Sequence, residues 1–237
     1  MKLLKLSLLA AVGSLALTAG AAQAADRPLG LAFNVGASTD YVFRGVSQTN
    51  ENAQIFGGAD ISFAGIGYGG VWASNVDFGD STDAEIDVYA GVKPTLGIVT
   101  FDFGAIYYGY VDDGNDWDYF ELKAAGSVPV GPGTVGAAFY WTPDATGPSK
   151  ADGYYYELNG SVAIPETKFS LSGAVGHQTY TKGDPDWTVW NVGVGYAVTD
   201  NLGLDFRYWG TDASRSDFGD SKYLYDDRFV VGFKATF

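Results

Sequence analysis

The sequence predicts an all-β chain, a single antiparallel transmembrane β-barrel of about twelve strands with short periplasmic turns and longer extracellular loops. Three observations predict it. Apolar residues recur with a period of two, and the helical period of 3.6 is missing beyond the first residues. Connections between the alternating segments are short and long in turn. The chain ends on an alternating aromatic run, Phe229, Val231, Phe233, Ala235 and Phe237, a form common at the C-terminus of outer-membrane proteins.

Residues Met1–Ala24 read as a cleavable secretory signal. Lys2 and Lys5 give a positive start, Leu8–Leu17 a short apolar stretch, and Ala22-Gln23-Ala24 a small-residue cleavage site. The apolar stretch is too short for a membrane helix and is broken by Gly13 and Ser14. The barrel domain is then residues 25–237.

Each strand is justified by its alternation. Strand 1 places Leu31, Phe33, Val35, Ala37, Tyr41 and Phe43 on one face and Asn34, Ser38, Asp40 and Arg44 on the other. Strands 2 and 3 are expected at 53–64 and 67–78. Strand 4 sets Ile86, Val88, Ala90 and Val92 against Glu85, Asp87, Tyr89 and Lys93. Strand 5 is 98–110; strand 6 sets Phe120, Leu122, Ala124 and Val128 against Glu121, Lys123 and Ser127. Strand 7 is 134–142; strand 8 sets Tyr154, Tyr156, Leu158 and Val162 against Glu157, Asn159 and Ser161. Strands 9 to 12 are 169–180, 187–198, 202–210 and 226–237. A soluble sandwich has the same period. The strand count, the loop asymmetry and the export signal favour a barrel, with apolar residues toward lipid and charges toward the lumen.

Composition narrows the function. There are 28 Asp plus Glu against 14 Lys plus Arg, for a net charge of −14, so nucleic acid is not an expected partner. No cysteine is present, which removes thiol chemistry and thiolate metal sites. The lone histidine, His177, shares the parity of the lipid-facing residues of strand 9 and belongs to no catalytic motif. No cofactor and no enzymatic activity are expected. Asp112, Asp113 and Asp116 form a weak cation-ligating group that reads more simply as a solvated acidic loop. Gly65-Ile66-Gly67-Tyr68-Gly69-Gly70 precedes no helix and is no phosphate loop.

Four segments carry a family resemblance: Thr39-Asp40-Tyr41-Val42-Phe43-Arg44-Gly45-Val46-Ser47-Gln48, Trp72-Ala73-Ser74-Asn75-Val76-Asp77-Phe78, Glu85-Ile86-Asp87-Val88-Tyr89 and Tyr119-Phe120-Glu121-Leu122. The first two are the specific ones. In these the chain resembles the TorF-like porins, a proteobacterial outer-membrane family. The resemblance implies an outer-membrane barrel with a porin role and supplies no substrate and no catalytic residues.

The expected function is passive passage of small hydrophilic solutes or ions through a narrow polar lumen. The alternative is a non-conducting structural or adhesive barrel that displays acidic loops. Expected partners are outer-membrane lipid and lipopolysaccharide, the outer-membrane assembly machinery and the solutes themselves. Lumen or constriction candidates are Glu85, Asp87, Glu121, Glu157, Arg44, Lys123, Arg207 and Arg228. Glu85, Glu121 and Glu157 recur at equal spacing on strands 4, 6 and 8, which predicts one acidic wall. Arg44, Arg207 and Arg228 are expected together on the opposite wall. Local pairing of Asp40 with Arg44 and Asp205 with Arg207 would cancel that field.

Overall fold

A computed structural model describes residues 29–112, 117–145 and 150–237. The expected signal, Met1–Ala24, lies outside the described residues, as do Asp113 and Asp116. Among the described residues, twelve strands close into one antiparallel barrel. They are β1 (Leu29–Ser38), β2 (Gln54–Phe63), β3 (Gly67–Asn75), β4 (Ala84–Val92), β5 (Val99–Val111) and β6 (Tyr119–Val130). They continue as β7 (Gly133–Thr142), β8 (Gly153–Ala163), β9 (Phe169–Tyr180), β10 (Trp187–Ala197), β11 (Leu202–Thr211) and β12 (Arg228–Thr236). Each strand pairs with the next, and β1 pairs with β12, so no edge is left open. Closure is what a sheet in hydrocarbon requires, since an unpaired backbone group there has no water to bond.

Short turns at 64–66, 93–98, 131–132, 164–168 and 198–201 lie at one end; long connections lie at the other. The alternation divides the side chains as its period demands. Leu31, Phe33, Ile55, Val88, Phe103, Leu158, Val192, Phe206 and Phe233 are exposed on the outer surface. Glu85, Asp87, Asp102, Glu121, Lys123, Asp205 and Arg207 are buried inside. An outer apolar belt around a charged interior inverts the soluble arrangement and fits a lipid surround. At the long-loop end the Tyr107 and Tyr208 hydroxyls donate to Asp118 and Asp227 while their rings face outward. Phe169 packs against Tyr196 in a tilted pair at the short-turn end, where Phe237 is also exposed.

The barrel closes on its last residue. Phe237 N–H donates to the Phe33 carbonyl at 2.9 Å, and Phe33 N–H donates back to the Phe237 carbonyl at 3.0 Å. Deleting Phe237 removes both bonds at a seam that hydrocarbon cannot hydrate. The folded, heat-modifiable form on gels is expected to fall several-fold; an unchanged folded fraction would remove the role of the terminal pair.

Two strands are shorter than their alternation suggests, and one loop is partly helical. β1 stops at Ser38 and β3 at Asn75. Tyr41 and Phe43 therefore lie in the lumen and not on the lipid-facing side with Leu31, Phe33 and Val35. The cause is local: Ser38 Oγ lies 2.7 Å from the Asp40 carbonyl and 2.8 Å from Gln54 Oε1, and the chain turns inward there. Between β11 and β12, α1 (Arg215–Phe218) runs into a 3₁₀ turn, Gly219–Tyr225.

Candidate functional site: a hairpin inside the lumen

After β1 the chain turns into the barrel interior over residues 40–49, while Glu51, Asn52 and Ala53 are exposed. Val42–Phe43 pairs antiparallel with Val46–Ser47, and Arg44 and Gly45 form the two-residue turn. Both turn residues have positive φ, 49° and 85°. That is the turn whose twist suits a tight hairpin, and it normally favours Asn-Gly. A Cβ on Gly45 would lie 2.6 Å from Thr211 Cγ2 and 2.7 Å from Val189 Cγ2, so glycine is required here for space as well as conformation.

The hairpin is fastened to walls all around it. Asp40 Oδ2 accepts from Arg228 Nη1 on β12 at 2.7 Å. Its Oδ1 accepts from Ser47 Oγ at 2.7 Å and Thr49 Oγ1 at 2.9 Å, tying the two arms together. Tyr41 OH donates to Glu85 Oε1 on β4 at 2.7 Å, and its ring meets Trp72 edge-on at 5.4 Å. Val42 joins Tyr155, Trp187, Val189, Trp209 and Val230 in an apolar cluster, with Val46, Phe218 and Tyr225 against it. Trp187 Nε1 donates to the Arg44 carbonyl at 2.9 Å.

Arg44, at the tip, crosses to the far wall. Its Nη2 lies 2.8 Å from both carboxylate oxygens of Glu121 on β6, and Nη1 donates to Gln178 Oε1 on β9 at 3.1 Å. The guanidinium carbon sits 4.3 Å from the Tyr155 ring centre, 5.0 Å from Tyr140 and 4.7 Å from Phe43. Glu121 is fully buried and also accepts from Thr142 Oγ1 at 2.9 Å. A charge this enclosed is tolerable because carboxylate, amide and aromatic faces all meet it.

Beyond the hairpin contacts, further charged side chains line the lumen. Asp102 accepts from Lys123 Nζ at 2.8 Å and from Tyr68 OH at 2.7 Å, with Lys93 Nζ at 3.6 Å. Arg207 pairs with Asp205 at 3.0 Å and also bonds Asn191 and Ser172. Glu157 accepts from Tyr155 OH at 3.0 Å and from Asn159 Nδ2 at 2.8 Å. Asp87 is buried, and its Oδ1 has no hydrogen-bond partner among the described residues.

The candidate residues thus face the lumen, but their charges are mixed around it and not segregated. Arg44 stands against the acidic wall, on Glu121, and does not join Arg207 and Arg228. Arg228 bonds Asp40, so the expected Asp40–Arg44 pair is replaced; Asp205–Arg207 forms as a local pair. The glutamates step regularly. Glu85 faces Tyr110 on β5, while Glu121 faces Ile106 on that strand; Glu121 bonds Thr142 on β7, while Glu157 faces Ala138 there. The step is the stagger of a tilted barrel. Asp112 is exposed, and its carbonyl accepts from Ser81 Oγ at 2.7 Å. His177 is exposed on the outer face and lies 3.2 Å from Thr188 Oγ1. Gln178, Tyr140, Tyr155 and Trp187 join the site although the sequence does not single them out. Their inward parity was readable, but nothing in one sequence marks them as partners of Arg44.

A sequence profile of bacterial proteins of unknown function, Gcw_chp, matches residues 22–237. The chain belongs to the Gcw_chp family. No match is found among curated proteins. Among solved structures, this Gcw_chp chain is similar to the KdgM porin, at TM-score 0.60 and 11% identity, covering 87% of this chain and 99% of that one. A second structure, KdgM porin in complex with disordered oligogalacturonate, gives TM-score 0.60 at 10% identity over 87% and 99% of the two chains. The COG4313 outer membrane channel from Pseudomonas putida F1 gives TM-score 0.51 at 12% identity over 88% and 93%. At such identities the likeness is one of fold, that of outer-membrane barrels.

The two most specific sequence segments meet in this fold. Thr39–Gln48 forms most of the inner hairpin, and Trp72–Phe78 braces it. Asp77 N–H donates to the Gln48 carbonyl at 2.8 Å. The Asn75 side chain bonds the Ile55 N–H and the Ala53 carbonyl where the chain leaves the lumen.

Proposed function

We propose that this protein is an outer-membrane channel for small hydrophilic solutes or ions, narrowed by its inner hairpin. The carrying observation is residues 40–49 held inside a closed, charge-lined barrel by Arg44, Tyr41 and Asp40. A barrel that served only as a membrane anchor has no need to fold a polar hairpin inward and tether it to separate walls. The fold of the KdgM porin and of the COG4313 channel, and the resemblance to TorF-like porins, support the same reading. Export by Met1–Ala24, both termini in the periplasm, and loops facing lipopolysaccharide belong to it.

The lumen favours cations. Arg44, Arg207 and Arg228 are each committed to a carboxylate, and Lys93 and Lys123 share Asp102. Glu85 and Glu157 accept from tyrosine hydroxyls and stand in no ion pair among the described residues, so they leave the lumen acidic. Low-dielectric walls focus such a field. Glu85, Asp87, Glu121, Glu157, Lys123 and the three arginines are the residues of the constriction and lumen in this reading, and no step requires a cofactor or catalysis.

One observation favours a non-conducting barrel. The apolar cluster around Trp187, Val189 and Trp209, covered by Phe218 and Tyr225, fills part of the long-loop half. Planar-bilayer recording separates the two. The native protein is expected to give small, cation-preferring steps, and replacing residues 40–49 by a Gly-Ser linker should enlarge them. Silence from both proteins, each shown to be folded, would leave the structural barrel standing.

A further inference from the structure

The inner hairpin ends in a side chain, and the wall opposite is shaped to receive it. The wall contribution is Glu121, Gln178, Tyr140 and Tyr155, drawn from β6, β9, β7 and β8. Glu121 supplies both oxygens to one guanidinium nitrogen, Gln178 accepts from the other, and the tyrosine rings flank the cation. Thr142 fixes the carboxylate from behind. Planar delocalised charge, two divergent donors and aromatic faces are features of a guanidinium and are poorly met by an ammonium. The nearby ammonium, Lys123, is held instead by Asp102, and its Nζ stays 5.9 Å from the Tyr140 ring.

We propose that this wall is a recognition site for guanidinium-bearing solutes, occupied in the closed barrel by Arg44 as a tethered surrogate. A solute carrying the same group competes with Arg44 for Glu121, and its binding releases the hairpin tip. The competition is open because the tip is held in a conformation that costs it. Arg44 has φ 49°, a left-handed backbone that disfavours a residue with a side chain. A short tether supplies an effective concentration in the mM range, which sets the scale on which a free guanidinium competes. This site rests on the side-chain geometry; the release of a pore by it rests on the channel reading above.

The test is chemical rescue. Arg44→Ala leaves the wall pocket empty and Glu121 buried without its cation. Guanidinium chloride at about 10 mM, the scale of a tethered ligand's effective concentration, is added to the refolded protein. The midpoint of thermal unfolding, followed by heat-modifiability on gels, is expected to rise above that in equal sodium chloride or equal urea. The native protein, its site filled, should show no such rise, and neither should Arg44→Ala/Glu121→Gln. If Arg44→Ala does not fold alone, guanidinium present during refolding should restore the folded yield. No rise or rescue relative to sodium chloride, or an equal rise in the double variant, overturns the site. The readout is independent of conduction. In bilayers the same addition should reduce the Arg44→Ala current; a thermal response in a protein that never conducts would keep the site and discard the channel.

Discussion

Arg44→Ala is expected to lower the stability of the folded barrel by about 3 kcal/mol, the lower end for removing one partner of a buried ion pair. The guanidinium and carboxylate side chains are 10% and 0% exposed, so the loss is that of a buried contact and not of a screened surface pair. Water entering the vacated tip partly resolvates Glu121, which keeps the cost from the upper end. Glu121→Gln should cost a similar amount, because it strands the cation instead. The double variant should lose less than the two single losses combined, since neither charge is then left alone. Urea unfolding of the refolded protein measures all three. Strict additivity would mean that the contact contributes little and that the hairpin is held by its other tethers.

Gly45→Val is expected to expel the hairpin and enlarge conductance several-fold. Two effects act together. A β-branched residue is a poor occupant of φ 85°. Its side chain would also enter the space of Thr211 and Val189, both part of packed walls. The barrel strands do not depend on this turn for their pairing, so the wall should persist while the constriction is lost. Equal single-channel steps in the native and Gly45→Val proteins, with both folded, would show that residues 40–49 do not set the narrowest point.

Much of this arrangement is legible in the sequence because membrane barrels obey a strict period. Outer residues such as Leu31, Val88 and Leu158 and inner ones such as Glu85, Lys123 and Glu157 are separated by parity alone. What failed was the end of β1. Past Ser38, Asp40, Tyr41, Phe43 and Arg44 keep the parity of the strand while Thr39 and Val42 break it, and so imperfect a period cannot distinguish a longer strand from a second one folded back. The corrective signal is present in the sequence: Arg44-Gly45 is a two-residue turn between Phe43 and Val46, an aromatic and a β-branched residue that both favour strands. The short helical turn at 215–225 is below the length at which a helical period can be read. The partners of Arg44 were not legible. Glu121 and Gln178 are distant in sequence, and many inward side chains had the same parity.

The hairpin's tethers also set an order of events in assembly. Asp40 bonds Arg228 across 188 positions of chain, and the Arg44 carbonyl bonds Trp187 across 143. These contacts join almost the first strand to almost the last. Such distant pairings make folding slow, because chain entropy is lost long before the contacts compensate it. The hairpin precedes every wall it will touch except β1, so it leaves synthesis with nothing to dock on. Its polar tip must be kept within the curling sheet until β6, β9 and β10 arrive, and the seam at Phe33 and Phe237 closes around it. A barrel sealed with the hairpin outside would hold an empty, acid-lined interior and an unshielded arginine at its rim. The inner hairpin therefore doubles as an internal template, a piece of chain around which the cylinder is drawn shut.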